Sequence, residues 1–136
     1  MDAKTSLRSL SHGVFTLNYH LVLVTKYRRK AITPTMLGDL EKIFAAVCSG
    51  WRCELLEFNG EADHVHLLIS AHPTLRLSDL VNNLKTASSR RIRRMYKTHI
   101  RKFYWKPVFW HRSYCIISSG AAPLSVLKQY IQRQGG

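Results

Sequence analysis

Acidic side chains are few in this chain and are missing altogether from its second part. The 136 residues include 21 Lys and Arg but only eight Asp and Glu, a formal net charge of +13. Residues 80–136 hold twelve Lys and Arg and neither Asp nor Glu, whereas residues 1–79 hold nine basic and eight acidic side chains. A block of like charge opposes folding unless a polyanion meets it. The charge pattern therefore favours a nucleic-acid partner over a merely solubilising surface.

Long apolar runs and paired cysteines are missing as well. No stretch approaches the roughly 20 apolar residues that span a bilayer, so no membrane association is expected. The segment Met1 to Gly13 lacks an apolar run ending in a cleavage site, so no secretory signal is expected. Cys48, Cys53 and Cys115 are odd in number and show no CxxC spacing. They are expected to be reduced, mostly buried thiols in a cytoplasmic protein rather than zinc ligands or disulfides.

Length and spacing predict one domain that opens with a strand and a helix. Residues 1–13 are polar and are expected to form a flexible arm, which leaves residues 14–136 as a single domain. Apolar and polar residues alternate from Val14 to Thr25, the pattern of a half-buried strand. Thr33 and Pro34 supply an N-cap and a first-turn proline for a helix, and Gly50 is its expected C-cap.

The middle of the chain predicts a hairpin and a second helix. Residues 51–58 and 64–70 are expected to pair as antiparallel strands around a turn at Asn59-Gly60. Ser78 would cap a helix ending near Tyr96. The apolar stripe of this helix is expected to comprise Leu80, Leu84, Ala87, Ile92 and Met95.

The last third of the chain begins with a segment of irregular structure and ends with a predicted strand and a predicted helix. Residues 97–110 show no periodicity, and Trp105 and Phe109 are their expected core members. Residues 112–118 predict a final strand, Gly120 ends it, and Pro123 opens a terminal helix. The order β-α-β-β-α-β favours an α+β fold, a ferredoxin-like or RRM-like split βαβ antiparallel sheet with helices on one face. The terminal helix, which carries Tyr130, is added to that plan.

The third predicted strand contains the motif His64-Val65-His66. Residues i and i+2 of a strand share a face, so both imidazoles are expected on the open face of the sheet and could hold one cation. Asp63 is expected to point to the opposite face, which makes it no obvious ligand. Imidazole suits Mn²⁺ better than Mg²⁺, and the metal stays open. Hydrogen-bonded surface histidines are the alternative interpretation.

Tyr130 and Gln134 lie four residues apart on the terminal helix, so a phenol and a carboxamide share one face. A cation bound by the histidines could polarise a phosphodiester for attack by the phenol, whose ordinary pKa of about 10 requires such help. Lys128 or Arg133 could stabilise the developing charge. The alternative is a tyrosine at the edge of the core with a packed ring and a hydrated hydroxyl.

Basic and aromatic residues interleave between positions 85 and 110. Cations beside rings that can stack on bases are typical of proteins that bind single strands or hairpins. The run from Lys26 to Lys30 is a second phosphate site or else a solvated turn, and the overall charge favours the former. The cations expected to bind DNA are Lys26, Arg28, Arg29, Lys30, Lys85, Arg90, Arg91, Arg94 and Lys128.

Several segments, taken in order, follow a known pattern that covers nearly the whole chain after the first dozen residues. They are Tyr19-His20, residues 26–30, 63–68, 85–90, 113–115, 120–124 and 128–131, and Gln134. In these segments the chain resembles the single-tyrosine HUH transposases of small insertion sequences, of the insertion-sequence 200/605 type, that move as single-stranded DNA.

The resemblance implies a homodimer in which His64 and His66 of one subunit bind a divalent metal, Mg²⁺ or Mn²⁺. Gln134 would join them from a helix contributed by the partner. The resemblance also implies that Tyr130 attacks a phosphodiester, leaving a 5′-phosphotyrosine and a free 3′-hydroxyl that later reseals on another end. No ATP is then needed, and the chain shows no P-loop. Single-stranded DNA with subterminal hairpins is the implied ligand.

Two other functions are compatible with the same residues. A plasmid relaxase or a rolling-circle initiator uses the same chemistry but usually has a longer chain. An inactive or domesticated protein would bind hairpin DNA or RNA without cutting it. Its binding would depend steeply on salt and would be unaffected by His64→Ala or Tyr130→Phe.

Overall fold

The computed structural model describes residues 9–10, 13–14, 17–119 and 124–134, with side chains described from 17 to 119 and from 127 to 134. The predicted boundary residues Gly120 and Pro123 lie outside this part, as does most of the predicted arm. At the end of that arm, residues 9–10 pair antiparallel with residues 13–14, the second of which is the first residue of the predicted domain. In chain order the elements are β1 (Ser9–Leu10), β2 (Gly13–Val14), β3 (Leu17–Val24), α1 (Pro34–Gly50), β4 (Glu54–Gly60), β5 (His64–Ala71), α2 (Leu77–Met95), α3 (Lys97–Arg101), β6 (Cys115–Ser118) and α4 (Leu124–Arg133).

Four strands form one antiparallel sheet in the order β4-β5-β3-β6. The central strand β3 pairs with β5 along its whole length, from Leu17 opposite Ala71 to Val24 opposite His64. On its other side β3 pairs with β6. This strand order, with helices in the two crossovers, is the split βαβ plan, and the predicted α+β fold is confirmed.

Alternation along β3 and β5 sends side chains into two layers. One face packs against α1 and α2 in the main core, through Leu21, Leu23, Val65, Leu67 and Ile69. Val22 and Val24 point to the other face, where they are buried against Leu127 of α4. His66 pairs with Val22 and His64 with Val24, so both histidines share this second face. The face predicted to be open is therefore partly covered by α4, because the two valines and Leu127 exclude water together.

The first helix begins as the sequence predicts. Thr33 is its N-cap and accepts a hydrogen bond from the Met36 amide at 3.2 Å, and Pro34 occupies the first turn. Gly50 is the last helical residue and Trp51 the C-cap, one position later than predicted. The helix buries Met36, Leu40, Ile43, Phe44, Val47 and Cys48.

Other predicted boundaries were wrong, each for a local reason. Asn59 and Gly60 belong to β4, and the chain turns after them, where the Glu61 amide donates to the His64 carbonyl at 2.9 Å. Arg76 rather than Ser78 is the N-cap of α2, since the Arg76 carbonyl accepts the first helical bond. The last strand starts at residue 115 rather than 112.

Two residues predicted to lie in the core are exposed instead, one in the aromatic segment and one in the helix before it. Phe109 is 1% exposed as expected, but Trp105 is 84% exposed and Met95, at the end of α2, is 53% exposed. The space beneath this segment is filled by Trp110, whose ring meets Phe109 edge-on at 4.7 Å. The Trp110 indole N–H donates to the buried Ser88 hydroxyl at 2.8 Å, so no room remains for a further indole.

No helix among the described residues is long and apolar enough to cross a membrane.

Candidate active site

His64 is held in place by Asp63. The His64 Nδ1 donates to Asp63 Oδ1 at 2.9 Å, and Asp63 Oδ2 accepts from Arg28 Nε at 2.9 Å. Burial alone would raise the pKa of Asp63, but the hydrogen bonds from His64 and Arg28 outweigh it, and the pKa lies below its ordinary value. The prediction that Asp63 faces away was wrong, because it stands in the turn before β5, where strand alternation does not apply. A carboxylate on Nδ1 fixes the His64 ring and leaves Nε2 for a ligand.

His66 contacts a third histidine, one that sequence reasoning did not single out as a site residue. His20 Nδ1 lies 2.8 Å from His66 Nε2, and the two rings stack with centroids 5.0 Å apart. Burial lowers the pKa of His66, and the neighbouring His20 lowers it further. His66 is therefore neutral at neutral pH, the form that binds a metal. The Tyr19-His20 segment was noted only as part of a family pattern, since the contact depends on strand register.

The donor set around these histidines fits a divalent cation. Glu61, Asp63 and His64 each offer one ligand atom, and the three atoms lie within 4.8 Å of one another. His66 adds a neutral imidazole on the same face. Carboxylate and imidazole together suit Mn²⁺ or Mg²⁺. Because the Nε2 atom of His66 faces His20, His66 would bind a metal through Nδ1 or after displacing that contact.

A cavity of about 380 Å³ lies over the histidine pair. Its floor is His64 and His66, and Leu127, Lys128 and Ile131 of α4 form one wall. A second cavity of about 630 Å³ adjoins it and also includes His64. The cations lining this second cavity are Arg28, Lys30 and Lys128. An anionic strand in the second cavity would therefore pass beside His64.

Tyr130 bonds to residues that do not line these two cavities. Its hydroxyl lies 2.9 Å from Ser113 Oγ, and that oxygen is 3.0 Å from His111 Nδ1. The Ser113 amide also donates to the same Nδ1 at 3.1 Å. Since an amide N–H can only donate, Nδ1 accepts, and the bonds run from Tyr130 O–H to Ser113 Oγ and from Ser113 O–H to His111. Burial raises the pKa of Tyr130 above its ordinary value, so the phenol is neutral.

Two predicted site residues are not brought to the histidine pair within one subunit. Neither Tyr130 nor Gln134 is among the described residues that line the two cavities. Gln134 extends the last turn of α4, its amide donating to the carbonyls of Tyr130 and Ile131 at 3.3 and 3.2 Å. The fold of one chain thus gathers the two histidines and Lys128, and directs Tyr130 toward the β6 side of the sheet.

The basic segment 26–30 is a strained turn. Tyr27 and Arg28 both have left-handed backbone angles, with φ of 58° and 53°, a conformation that costs about 1–3 kcal/mol at each residue. The turn is held by hydrogen bonds, from the Lys26 amide to Phe109 O at 2.8 Å and from the Tyr104 hydroxyl to Lys26 O at 2.5 Å. In this turn Arg28 reaches Asp63. The segment is therefore an ordered part of the fold, and its role as a phosphate site stays a prediction.

The other predicted DNA-binding cations differ in their surroundings. Arg29 bonds to the Phe103 carbonyl and lies over the Tyr104 ring. Lys85 donates to the Arg112 carbonyl at 2.6 Å, and burial lowers its pKa. Arg90 and Arg94 line a groove beside α2, whereas Arg91 is exposed outside it. Four cations of that groove were not among the predicted DNA contacts: Arg93, Lys97, Arg101 and Lys106.

Solved structures resemble this chain throughout its length. A crystal structure from Deinococcus radiodurans R1, assigned provisionally as a transposase, superposes with a TM-score of 0.86 at 29% identity, covering 95% of this chain and 98% of that one. A REP-associated tyrosine transposase bound to a REP hairpin superposes with a TM-score of 0.52 at 9% identity, over 85% of this chain and 62% of that one. The second likeness is one of fold alone.

Relatives by sequence are transposases. The ISDra2 transposase TnpA of Deinococcus radiodurans is 31% identical over 121 residues, which cover 89% of this chain and 86% of that protein. The transposase for insertion sequence element IS200 of Salmonella typhimurium is 28% identical over 127 residues, 93% of this chain and 82% of that protein. The family model described as "Transposase IS200 like" matches residues 13–134, which include every candidate residue above. The chain therefore belongs to the IS200-like transposases, DNA-binding enzymes that cleave DNA and transfer strands during transposition.

Proposed function

We propose that this transposase cuts and rejoins single-stranded ends of an insertion sequence with Tyr130 as its nucleophile. His64, His66 and Gln134 would hold a divalent metal, Mg²⁺ or Mn²⁺. The observation that carries the proposal is the pair of histidines, each fixed by a neighbouring side chain, on the sheet face where the Tyr130 helix docks. We expect the reaction to take place in the cytoplasm.

When bound, the metal would polarise the phosphodiester and stabilise the charge that develops on it. The other steps depend on side chains of the chain. Arg28, Lys30 and Lys128 bind phosphates of the strand in the second cavity. The Tyr130 oxygen forms a bond to phosphorus as its proton is released, while the bond from phosphorus to the 3′-oxygen breaks and that oxygen takes up a proton to become a 3′-hydroxyl. Attack by another 3′-hydroxyl on the 5′-phosphotyrosine reverses these bonds and reseals the strand.

The position of Tyr130 favours an active site shared between two subunits. In one chain the phenol bonds to Ser113, away from the cavity over His64 and His66. A homodimer would allow α4 of one subunit to bring Tyr130 and Gln134 to the histidine pair of the other. Single-stranded DNA with subterminal hairpins is the proposed substrate, in keeping with the cations of segment 26–30 and α2.

Incubation of a labelled single-stranded element end with Mg²⁺ or Mn²⁺ tests the chemistry. Wild-type protein should form a covalent adduct that disappears in Tyr130→Phe and in His64→Ala, while hairpin binding persists in both variants. Equal adduct in Tyr130→Phe would refute the assignment of the nucleophile. Hairpin binding without adduct from any form of the protein would favour the non-cleaving alternative.

Mixed dimers test the shared site. A dimer of one Tyr130→Phe subunit and one subunit carrying both His64→Ala and His66→Ala retains one complete site only if tyrosine and histidines come from different chains. Adduct on the double-histidine subunit is the expected result. No adduct from the mixed dimer, with full activity in the wild-type dimer prepared in the same way, would assign Tyr130 to its own subunit's histidines.

A further inference from the structure

Trp105 is the most exposed large hydrophobic side chain among the described residues, at 84%. An indole in water forgoes the stabilisation that burial of a large apolar side chain would provide. Exposed aromatic surface of this kind often marks a binding site. Met95 on the neighbouring helix is also exposed, at 53%, but it has no aromatic face to offer. The exposed indole therefore favours a ligand with a flat surface that can stack on it.

The ring of Trp105 borders a strongly cationic groove. This groove has a volume of about 480 Å³ and runs between α2, α3 and residues 104–107. The described residues that line it include no carboxylate, and its six cations are Arg90, Arg93, Arg94, Lys97, Arg101 and Lys106. The Lys106 Nζ atom lies 4.9 Å from the Trp105 ring centroid. The groove thus combines an aromatic platform with a field that attracts phosphates.

The backbone that presents Trp105 is firmly anchored. Tyr104, the preceding residue, is 5% exposed, and its amide bonds to the Ile100 carbonyl at 3.0 Å. Its hydroxyl bonds to the Lys26 carbonyl, as described above, and the Arg29 guanidinium lies 5.6 Å from its ring centroid. The backbone that carries the indole is therefore preorganised, so that a ligand would not have to order it.

The groove is separate from the metal-binding face. Its cations come from the helical layer, whereas His64 and His66 lie on the sheet face beneath α4. A further cavity of about 300 Å³ shares Arg90 and Arg93 with the groove and reaches Lys85. From Lys85 to Arg94, within α2, the row of cations extends about 14 Å, at roughly 1.5 Å per residue. That length accommodates several successive phosphates.

We propose that Trp105 stacks on an unpaired base beside the stem of a DNA hairpin, while the cations of the groove bind the flanking phosphates. The inference rests on the proposed function, which supplies hairpin DNA as the ligand. A base inside the stem has both faces covered by its neighbours, whereas an unpaired base beside the stem can offer a face to the indole. An acidic protein segment would satisfy the cations but not the ring.

Three matched DNA hairpins test the stacking. One carries a single unpaired nucleotide beside the stem, the second has an abasic residue at that position, and the third is fully paired. Trp105→Ala should weaken binding of the first hairpin about 10-fold or more, the factor expected for loss of one stacked base. Binding of the other two should change little. Trp105→Phe should retain most of the affinity, and Met95→Ala, an exposed hydrophobic residue outside the groove, serves as the control.

Two outcomes would overturn the inference. Unchanged affinity of Trp105→Ala for the first hairpin would exclude stacking, and an equal loss on all three hairpins would mean that Trp105 does not recognise the unpaired base. The adduct assay on wild-type protein separates this inference from the proposed function. A Trp105 effect without any adduct would refute the cleavage chemistry and leave the stacking site standing. Adduct without a Trp105 effect would refute the stacking site alone.

Discussion

Replacement of Asp63 by Asn tests whether the hydrogen-bonded pair that fixes His64 sets metal affinity. The carboxylate joins His64 and Arg28 through two bonds of 2.9 Å, and the residue is only 8% exposed. Asn keeps the shape but removes the charge, and its amide can accept from only one of the two donors through its single oxygen. Loss of a partner that orients a metal-binding histidine typically lowers metal affinity about 10- to 100-fold. Asp63→Asn should therefore weaken Mn²⁺ binding by that factor.

The assay follows the electron paramagnetic resonance signal of free Mn²⁺ during titration of DNA-free protein, so that catalysis does not enter the measurement. Asp79→Asn is the matched control, because Asp79 forms an exposed ion pair with Arg76 at 3.3 Å on the first turn of α2, remote from the histidines in the sheet. Thermal unfolding of both variants checks that the fold is retained. A Mn²⁺ affinity of Asp63→Asn within a factor of about two of wild type, with the fold intact, would refute the reasoning.

Three further predictions concern the same face and its surroundings. Gly60→Ala should destabilise the protein by about 1–3 kcal/mol and weaken Mn²⁺ binding, because its Cβ would lie 2.5 Å from a leucine side chain of α1 and 3.0 Å from the His64 carbonyl. A Cβ added at Gly38 would have nothing within 4 Å, so Gly38→Ala should instead stabilise α1 by about 1 kcal/mol. Equal unfolding free energies for Gly60→Ala and Gly38→Ala would contradict this. His20→Ala should lower Mn²⁺ affinity, and His20→Asn should lower it less. Wild-type Mn²⁺ affinity in both variants would mean that the contact between His20 and His66 plays no part in metal binding. Burial and two nearby lysines lower the pKa of His111 from 6.5, so its stabilising contribution is complete above pH 6.5 and is lost as the pH falls through the lowered value. His111→Asn should remove this part of the pH dependence of the unfolding free energy, and identical profiles would contradict it.

Features with a strict period were predictable from the sequence. Alternation along β3 and β5 requires that every second residue face the helices, so the shared face of His64 and His66 follows from their spacing alone. The Thr33-Pro34 start of α1 was equally predictable, since both residues satisfy needs specific to a first helical turn.

Features that depend on register or on an irregular backbone were not predictable. The contact between His20 and His66 requires knowledge of which residues pair across β3 and β5. Asp63 was misplaced because the alternation rule was applied one residue beyond the strand. Trp105 was assigned to the core on size, but the space was already filled by Trp110 and its neighbours. The direction of Tyr130 depends on the docking of α4, which no local pattern specifies.

The small apolar contact beneath α4 has a consequence for the order in which parts of the molecule open. Three buried residues form its centre, Val22, Val24 and Leu127, whereas the main core contains 22 among the described residues. Among the side chains that the structure describes in α4, only Leu127 is one of these three, and its release from the sheet forfeits about 1.5–3 kcal/mol of burial, with smaller amounts from Tyr130 and Ile131. Undocking is thus a sub-global event, far less costly than melting of the strands. Tyr130, the proposed nucleophile, can therefore detach from the sheet while the strands that carry the histidines stay folded.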